Sequence, residues 1–168
     1  MNHRWKPSVT VAAIIERDGQ YLLVEEHTPE GLRLNNPAGH LDEGESPIEG
    51  CAREALEETT HRFTPQALLG IYLSRFHRPA SADRAAEDIT YMRFAFVGEL
   101  GDVVPGATLD HGIERTVWMS AEAIQANAHR LRSPLILQCI RDHQRGQRFP
   151  LSMIYTDPSV QALQGKAP

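Results

Sequence analysis

The chain lacks most of what would mark a disulfide scaffold, a zinc protein, a membrane protein or a nucleic-acid binder. It has two cysteines, Cys51 and Cys139, with no C-x-x-C between them. Both are expected as packing residues in a reducing compartment rather than a disulfide. The eight histidines are scattered, with no H-x-x-x-H pair, which argues against zinc. The apolar run 9–15 is only seven residues and contains Thr10. It is too short to cross a bilayer, carries no cleavage pattern, and is expected as a buried strand. Basic excess is also missing: 17 Lys and Arg face 22 Asp and Glu, a net charge of −5, so a broad nucleic-acid surface is not expected. What remains is a cytoplasmic globular chain of 168 residues. That length suits one domain with a proper core, either monomer or homodimer, with a loosely ordered tail from about residue 157.

The pattern alternates between strand and helix signals. Residues 9–17 and 20–26 read as two strands around an Asp18-Gly19 turn. A loop over 27–33 leads into 34–41, and a helix follows from Pro47 to about Thr60. Residues 66–76 and 89–99 read as strands, joined by a polar loop over 77–88. A second loop covers 101–112, a short strand 116–119, and Ser120 caps a helix beginning near Ala121. The last helix has Ser133 as N-cap, Pro134 in its first turn and Gly146 at the C′ position. Residues 151–156 either add an edge strand or simply pack. Strands, a helix, strands and a terminal helix imply an α/β sandwich.

The segment from Gly39 to Glu58 carries the chemistry: G-H-L-D-E-G-E-S-P-I-E-G-C-A-R-E-A-L-E-E. Ser46 with Glu49 forms a capping box, and Pro47 suits the first helical position. Helical periodicity puts Ile48, Ala52, Ala55, Leu56 and Thr59 on one stripe. Glu54, Glu57 and Glu58 obey the i, i+3, i+4 rule and are expected together on the opposite face. Carboxylates so close repel unless a cation sits among them. Mg²⁺ is a hard cation that joins one or two carboxylates to substrate phosphates, so the segment points to magnesium and phosphate. The plain alternative for Glu57 and Glu58 alone is a solvated helix face.

This segment resembles the Nudix box of the MutT/Nudix hydrolases, G-x5-E-x7-R-E-U-x-E-E-x-G-U with U a bulky apolar residue. Gly39, Glu45, Arg53, Glu54, Glu57 and Glu58 meet it at the required spacing. Ala55, Thr60 and His61 depart from it, and the missing glycine at 60 puts the helix exit in question. The resemblance implies an α/β/α sandwich with a central mixed sheet, covering residues 9 to about 147. It also implies hydrolysis of a diphosphate linkage. Glu54, Glu57 and Glu58, with the Gly39 carbonyl, would hold Mg²⁺, for which Mn²⁺ could substitute. Arg53 would pair with Glu45 and orient Glu57.

The general base is open between a box glutamate and Glu114, four residues before Trp118, with Glu87 and Asp88 weaker candidates. Arg93 interrupts the strand Y-M-R-F-A-F. It either grips a substrate phosphate from the sheet face or snorkels to solvent. His40 and Asn36 are candidate substrate contacts. Arg141, Arg145 and Arg148 read as a solvated stripe. Beyond the box, L-N-N-P-A-G-H-L-D and V-W-M-S-A-E are similar to the bacterial NudJ-type subgroup. That likeness implies a relaxed phosphohydrolase for nucleoside di- and triphosphates and for hydroxymethylpyrimidine pyrophosphate. The subgroup tends to carry Trp where this chain has Leu34, so an aromatic stack on the substrate is lost there. The partner would be a small phosphorylated molecule. A module that binds a nucleotide metabolite without turnover is the second reading.

Overall fold

A computed structural model describes residues 4–161. The first strand, β1 (Ser8–Ile14), is followed by the two-residue β2 (Glu16–Arg17) and by β3 (Gln20–Thr28). Asp18 (φ 52°) and Gly19 (φ 77°) are both left-handed, the geometry that matches a two-residue hairpin to strand twist. The expected hairpin is therefore present, but only β2 forms its first arm. The chain leaves one sheet at Ile14 and enters another at Glu16.

The remaining elements are β4 (Gly31–Asn35), β5 (Ala38–His40), α1 (Pro47–Thr59), β6 (His61–Arg78), β7 (Glu87–Val103), β8 (Ile113–Ser120), α2 (Ala121–Ala126), α3 (Leu135–Gln144) and the single turn α4 (Pro158–Gln161). The first sheet has the order β5-β1-β7-β6. Its β1–β7 pair is parallel and the others antiparallel, so this is the expected mixed sheet. A second, wholly antiparallel sheet stands beside it. There β8 lies along one edge of β3, and β2 and β4 share the other.

Alternation along β7 decides what each face of the first sheet buries. Phe96, with Val11 and Ala13 of β1, packs against Cys51 and Ala55 of α1. Ala95 and Val97 face the other way, joining Tyr21 and Leu23 of the second sheet and Ile136, Cys139 and Ile140 of α3. Both cysteines are buried and free. Full burial of a side chain such as Phe96 contributes roughly 1.5–3 kcal/mol.

Several boundaries differ from the sequence pattern, each for a tertiary reason. The β6–β7 hairpin runs from the His61–Val103 pair to the Arg78–Glu87 pair, because ladder hydrogen bonds continue past residues with no apolar alternation. The intervening loops shrink to 79–86 and 104–112. Pro134, not Ser133, is the N-cap of α3, while the Ser133 hydroxyl accepts from the Leu135 amide. Residues 151–153 form a 3-10 turn closed by local i−3 bonds, and Leu151 and Ile154 pack on the α1-side core. Residues 158–161 make one helical turn after Asp157, whose carboxylate accepts from Ser159. The rest of the tail lies outside the described residues. Among the described residues no helix is long and apolar enough to cross a membrane.

Candidate active site

The capping box holds as drawn from the sequence. Ser46 Oγ accepts from Glu49 N at 3.2 Å, and Glu49 Oε2 accepts from Ser46 N at 2.8 Å. At the other end Thr60 adopts φ 62° and its amide donates to Leu56 O at 2.8 Å. The left-handed exit is thus kept without glycine, at a backbone cost of roughly 1–2 kcal/mol. One expectation needs correction. The three glutamates do not share a solvent face: Gly50, Cys51, Ala55, Glu58 and Thr59 form the buried stripe. Glu57 is half-exposed, Glu54 is largely covered, and Glu58 is buried. Glu58 lies close enough to the core edge to accept from the Ala38 amide of β5 at 2.8 Å.

Arg53 sits among the remaining acids. It grips Glu45 through Nε (3.0 Å) and a terminal nitrogen (2.7 Å), the bidentate geometry that aligns a guanidinium with a carboxylate. Its other terminal nitrogen bridges Glu54 Oε1 (2.8 Å) and Glu57 Oε2 (2.9 Å). It also donates to the His40 carbonyl at 3.0 Å, tying α1 to β5. Glu45 is fixed further by the Asp42 amide. Two glycines make this packing possible. A Cβ on Gly39 would collide with the Glu54 carboxylate, and one on Gly50 would lie 2.6 Å from Glu45 Oε1.

The electrostatics follow from burial. Burial pushes the Glu58 carboxyl up to about 8; the Ala38 amide works against this, while the charges of Glu26, Glu54 and Asp110 add to it. Burial also raises Glu54, with Arg53 opposing. Glu45 is held low by its Arg53 hydrogen bonds. Among the described residues no three His, Cys, Asp or Glu side chains already enclose a cation site. Arg53 bridges Glu54 and Glu57, and Glu58 is turned to Ala38. The donor set is nonetheless oxygen-only and next to the side-chain-free Gly39, which is the ligand chemistry a hard cation takes.

From Ala38, Gly39 and His40 a cleft of about 510 Å³ opens between the two sheets. Arg93 lines it and is 7% exposed, which overturns the snorkelling alternative. Its Nε and one terminal nitrogen find no hydrogen-bond partner among the described residues. His40 lines the cleft too, its ring centroid 6.3 Å from that of Tyr91.

The box side chains Glu45, Arg53, Glu54, Glu57 and Glu58 do not line the cleft themselves, reaching it only through β5, and Asn36, Glu114 and Leu34 are absent from its lining too. Asn36 is buried but outside the cleft lining, because strand alternation turns Asn35 inward instead. The exposed Glu114 carboxylate pairs with His27 Nε2 at 2.9 Å, away from the cleft lining. Leu34 is fully buried in the α3-side core, so its side chain does not line the cleft. Glu87 and Asp88 pair with Arg78 and Arg75 near the cleft mouth, and the 141/145/148 arginines are exposed, as expected of a solvated stripe.

Sequence reasoning missed Thr10, Glu26 and Asn35, which line the cleft beside Arg93. The available signal was the Glu25-Glu26 doublet ending an apolar strand. Alternation must send one carboxylate to each face. Glu25 is taken up by Arg115 at 2.6 Å and by Arg130 at 2.5 Å, and Glu26 is left to the cleft.

Comparison with known proteins places this geometry. Residues 4–139 match the family profile described as the NUDIX domain. The chain is 39% identical over 150 residues to phosphatase NudJ of Escherichia coli K12, covering 89% of this chain and 92% of that protein. The same values hold for phosphatase NudJ of Shigella flexneri. Among solved structures, a NUDIX hydrolase from Nitrosomonas europaea aligns with TM-score 0.77 and 46% identity over 90% of this chain and 98% of that one. A MutT protein from Methanosarcina mazei Go1 shares the fold, with TM-score 0.60 and 24% identity over 85% of this chain and 98% of that one.

Proposed function

Because the chain belongs to the Nudix family of hydrolases, which act on phosphorus-containing anhydrides, we propose that it is a Mg²⁺-dependent hydrolase of nucleoside di- and triphosphates or related organic pyrophosphates. Hydroxymethylpyrimidine pyrophosphate is one such compound, and Mn²⁺ is a possible substitute metal. One observation carries the reading. Glu54 lies against Gly39 and Glu58 accepts from the Ala38 amide, and these two strand residues line a cleft whose wall also holds Arg93, a buried cation with two nitrogens unpaired among the described residues.

Glu54, Glu57 and Glu58, with the Gly39 carbonyl, would hold the metal. When bound, the metal would supply positive charge to the phosphate and lower the pKa of water in the site. The chain's own residues do the rest. Glu45 fixes Arg53, and Arg53 holds Glu54 and Glu57 at set angles to the Gly39–His40 strand, an aiming role of the kind whose loss costs 10- to 100-fold. Arg93 and His40 bind substrate from the cleft wall. We assign proton acceptance to a box glutamate rather than to Glu114, which is engaged by His27 outside the cleft.

The test is a substrate panel with and without Mg²⁺: nucleoside di- and triphosphates, nucleotide sugars, dinucleoside polyphosphates and hydroxymethylpyrimidine pyrophosphate. Metal-dependent phosphate or pyrophosphate release is expected. Tight binding with no turnover across the panel would replace this reading with that of a non-catalytic sensor.

A further inference from the structure

The cleft floor has hydrogen-bonding capacity that the protein leaves unused. Among the described residues, six carry solvent-shielded side-chain atoms without a hydrogen-bond partner. Five of the six, Thr10, Glu26, Asn35, Arg78 and Arg93, line this one cleft. An unpaired buried polar atom costs about 1–3 kcal/mol, more if charged, and native proteins keep few of them. Their concentration in one place marks where a ligand supplies the partners.

The mixture of donors and acceptors says which part of a ligand. Nε and a terminal nitrogen of Arg93 and Nε of Arg78 are donors, Glu26 Oε1 and Asn35 Oδ1 are acceptors, and the Thr10 hydroxyl can be either. A phosphate chain presents acceptors only. It would satisfy Arg93 and Arg78 but leave Asn35 Oδ1 and Glu26 Oε1 without a donor, the nearest cationic nitrogen to that Glu26 oxygen being Arg132 Nε at 3.7 Å. An organic group with both an acceptor and N–H donors satisfies all of them. The spacing agrees. His40 pairs with Thr10, and Thr10 with Arg93, across adjacent strands, so Arg93 lies two strand spacings, about 10 Å, from the Gly39–His40 strand. Tyr91, Leu131 and Leu135 supply apolar wall suited to a flat ring.

We infer that the floor binds the heterocycle of the substrate, an edge with an acceptor facing Arg93 and N–H donors facing Glu26 and Asn35, and that Glu26 is a specificity-determining residue. The inference rests on the hydrolytic reading above, with the phosphates at the Gly39 end. Glu26→Leu removes an acceptor that the ligand's N–H needs, and a buried donor left unpaired is what makes such sites selective.

Two substrates separate the possibilities: a nucleoside 5′-diphosphate, and a pyrophosphate ester capped by a phenyl group that has no N–H. The measured quantity is the ratio of their kcat/KM values. Glu26→Leu should lower the nucleotide-to-phenyl ratio by about tenfold or more, through nucleotide KM rather than kcat. Glu26→Gln, which keeps an acceptor, should fall between Glu26→Leu and wild type. An unchanged ratio, whether both substrates suffer equally or neither does, overturns the assignment. If Glu26→Leu does not fold, Glu26→Gln and Asn35→Leu carry the same ratio test. Should wild type hydrolyse neither compound, the hydrolytic reading fails instead. Calorimetric titration with nucleoside monophosphate and with inorganic phosphate then decides the floor assignment: wild type preferring the nucleotide, and Glu26→Leu or Asn35→Leu reducing that preference, upholds it, while a preference absent from wild type or unchanged in the variants overturns it.

Discussion

Arg53 and Arg93 lie on neighbouring elements and face opposite fates. Arg53, half-buried on α1, is saturated: two bonds to Glu45, one each to Glu54 and Glu57, and one to the His40 carbonyl. Arg93, on β7, is more deeply buried, yet two of its nitrogens have no partner among the described residues. Burying a guanidinium costs several kcal/mol unless its hydrogen bonds are met. The saturated arginine is architecture, locking carboxylates to a strand. The unsaturated one keeps unpaired donors on the wall of the cleft, as the proposed binding role requires. Within one site the two side chains are told apart by their hydrogen-bond accounts, not by residue type.

The comparison can be broken in four ways, taken from the largest expected effect. Glu57→Gln or Glu58→Gln should reduce metal-dependent hydrolysis on the order of 10²- to 10³-fold, several kcal/mol of transition-state stabilisation. Phosphate release across a Mg²⁺ titration measures it, and full turnover in both variants would remove the metal from α1. The two arginines should then separate by sign. Arg53→Met should lower the melting temperature and weaken metal activation by about 10- to 100-fold. Arg93→Met should raise KM while leaving the ligand-free melting temperature unchanged or higher, because two of its buried nitrogens have no hydrogen bond to lose among the described residues. Parallel drops in melting temperature would erase the distinction drawn here.

A pH series sharpens the view of Glu58. Its folded-state carboxyl titrates at about 8, against roughly 4.3 in the unfolded chain. Between those values the folded state binds more protons, so stability should fall as pH rises through that window. With chelator present, thermal melts of wild type should show this decline relative to Glu58→Gln; matching slopes would contradict it. The smallest effect is expected at Thr60. Thr60→Gly should stabilise the fold by about 1 kcal/mol, as the left-handed penalty is removed but unfolded-chain entropy rises. Chemical denaturation reads it directly, and a destabilised variant would mean that Thr60 contributes more through its hydroxyl bond to Thr59 O.

Legibility in the sequence tracked the range of the interaction. Capping of α1 and the grouping of Glu45, Arg53, Glu54 and Glu57 depend on residues within about two helical turns, where spacing alone brings side chains into reach. The hairpin at Asp18-Gly19 was legible for the same reason, though only β2 forms its first arm, and β6 and β7 were legible as strands but not in their pairing or full lengths. Where partners are far apart in sequence, the reading faltered. Burial of Glu58 depends on where β5 docks. The choice of Asn35 over Asn36, and the turn of Leu34 into the core, depend on the register of β4 against β3. Glu114 is taken by His27, 87 residues away.

By itself, then, the sequence determined that this chain carries a Nudix box on a capped helix, with an arginine spaced to pair with its acids, because local geometry and charge need no other part of the molecule. Only the tertiary structure decided that two sheets stand side by side, that a cleft opens between them, and that Arg93, Glu26, Asn35 and Thr10 converge on it. That convergence is set by strand order and register, and shifting a strand by one residue would send every one of its side chains to the other face.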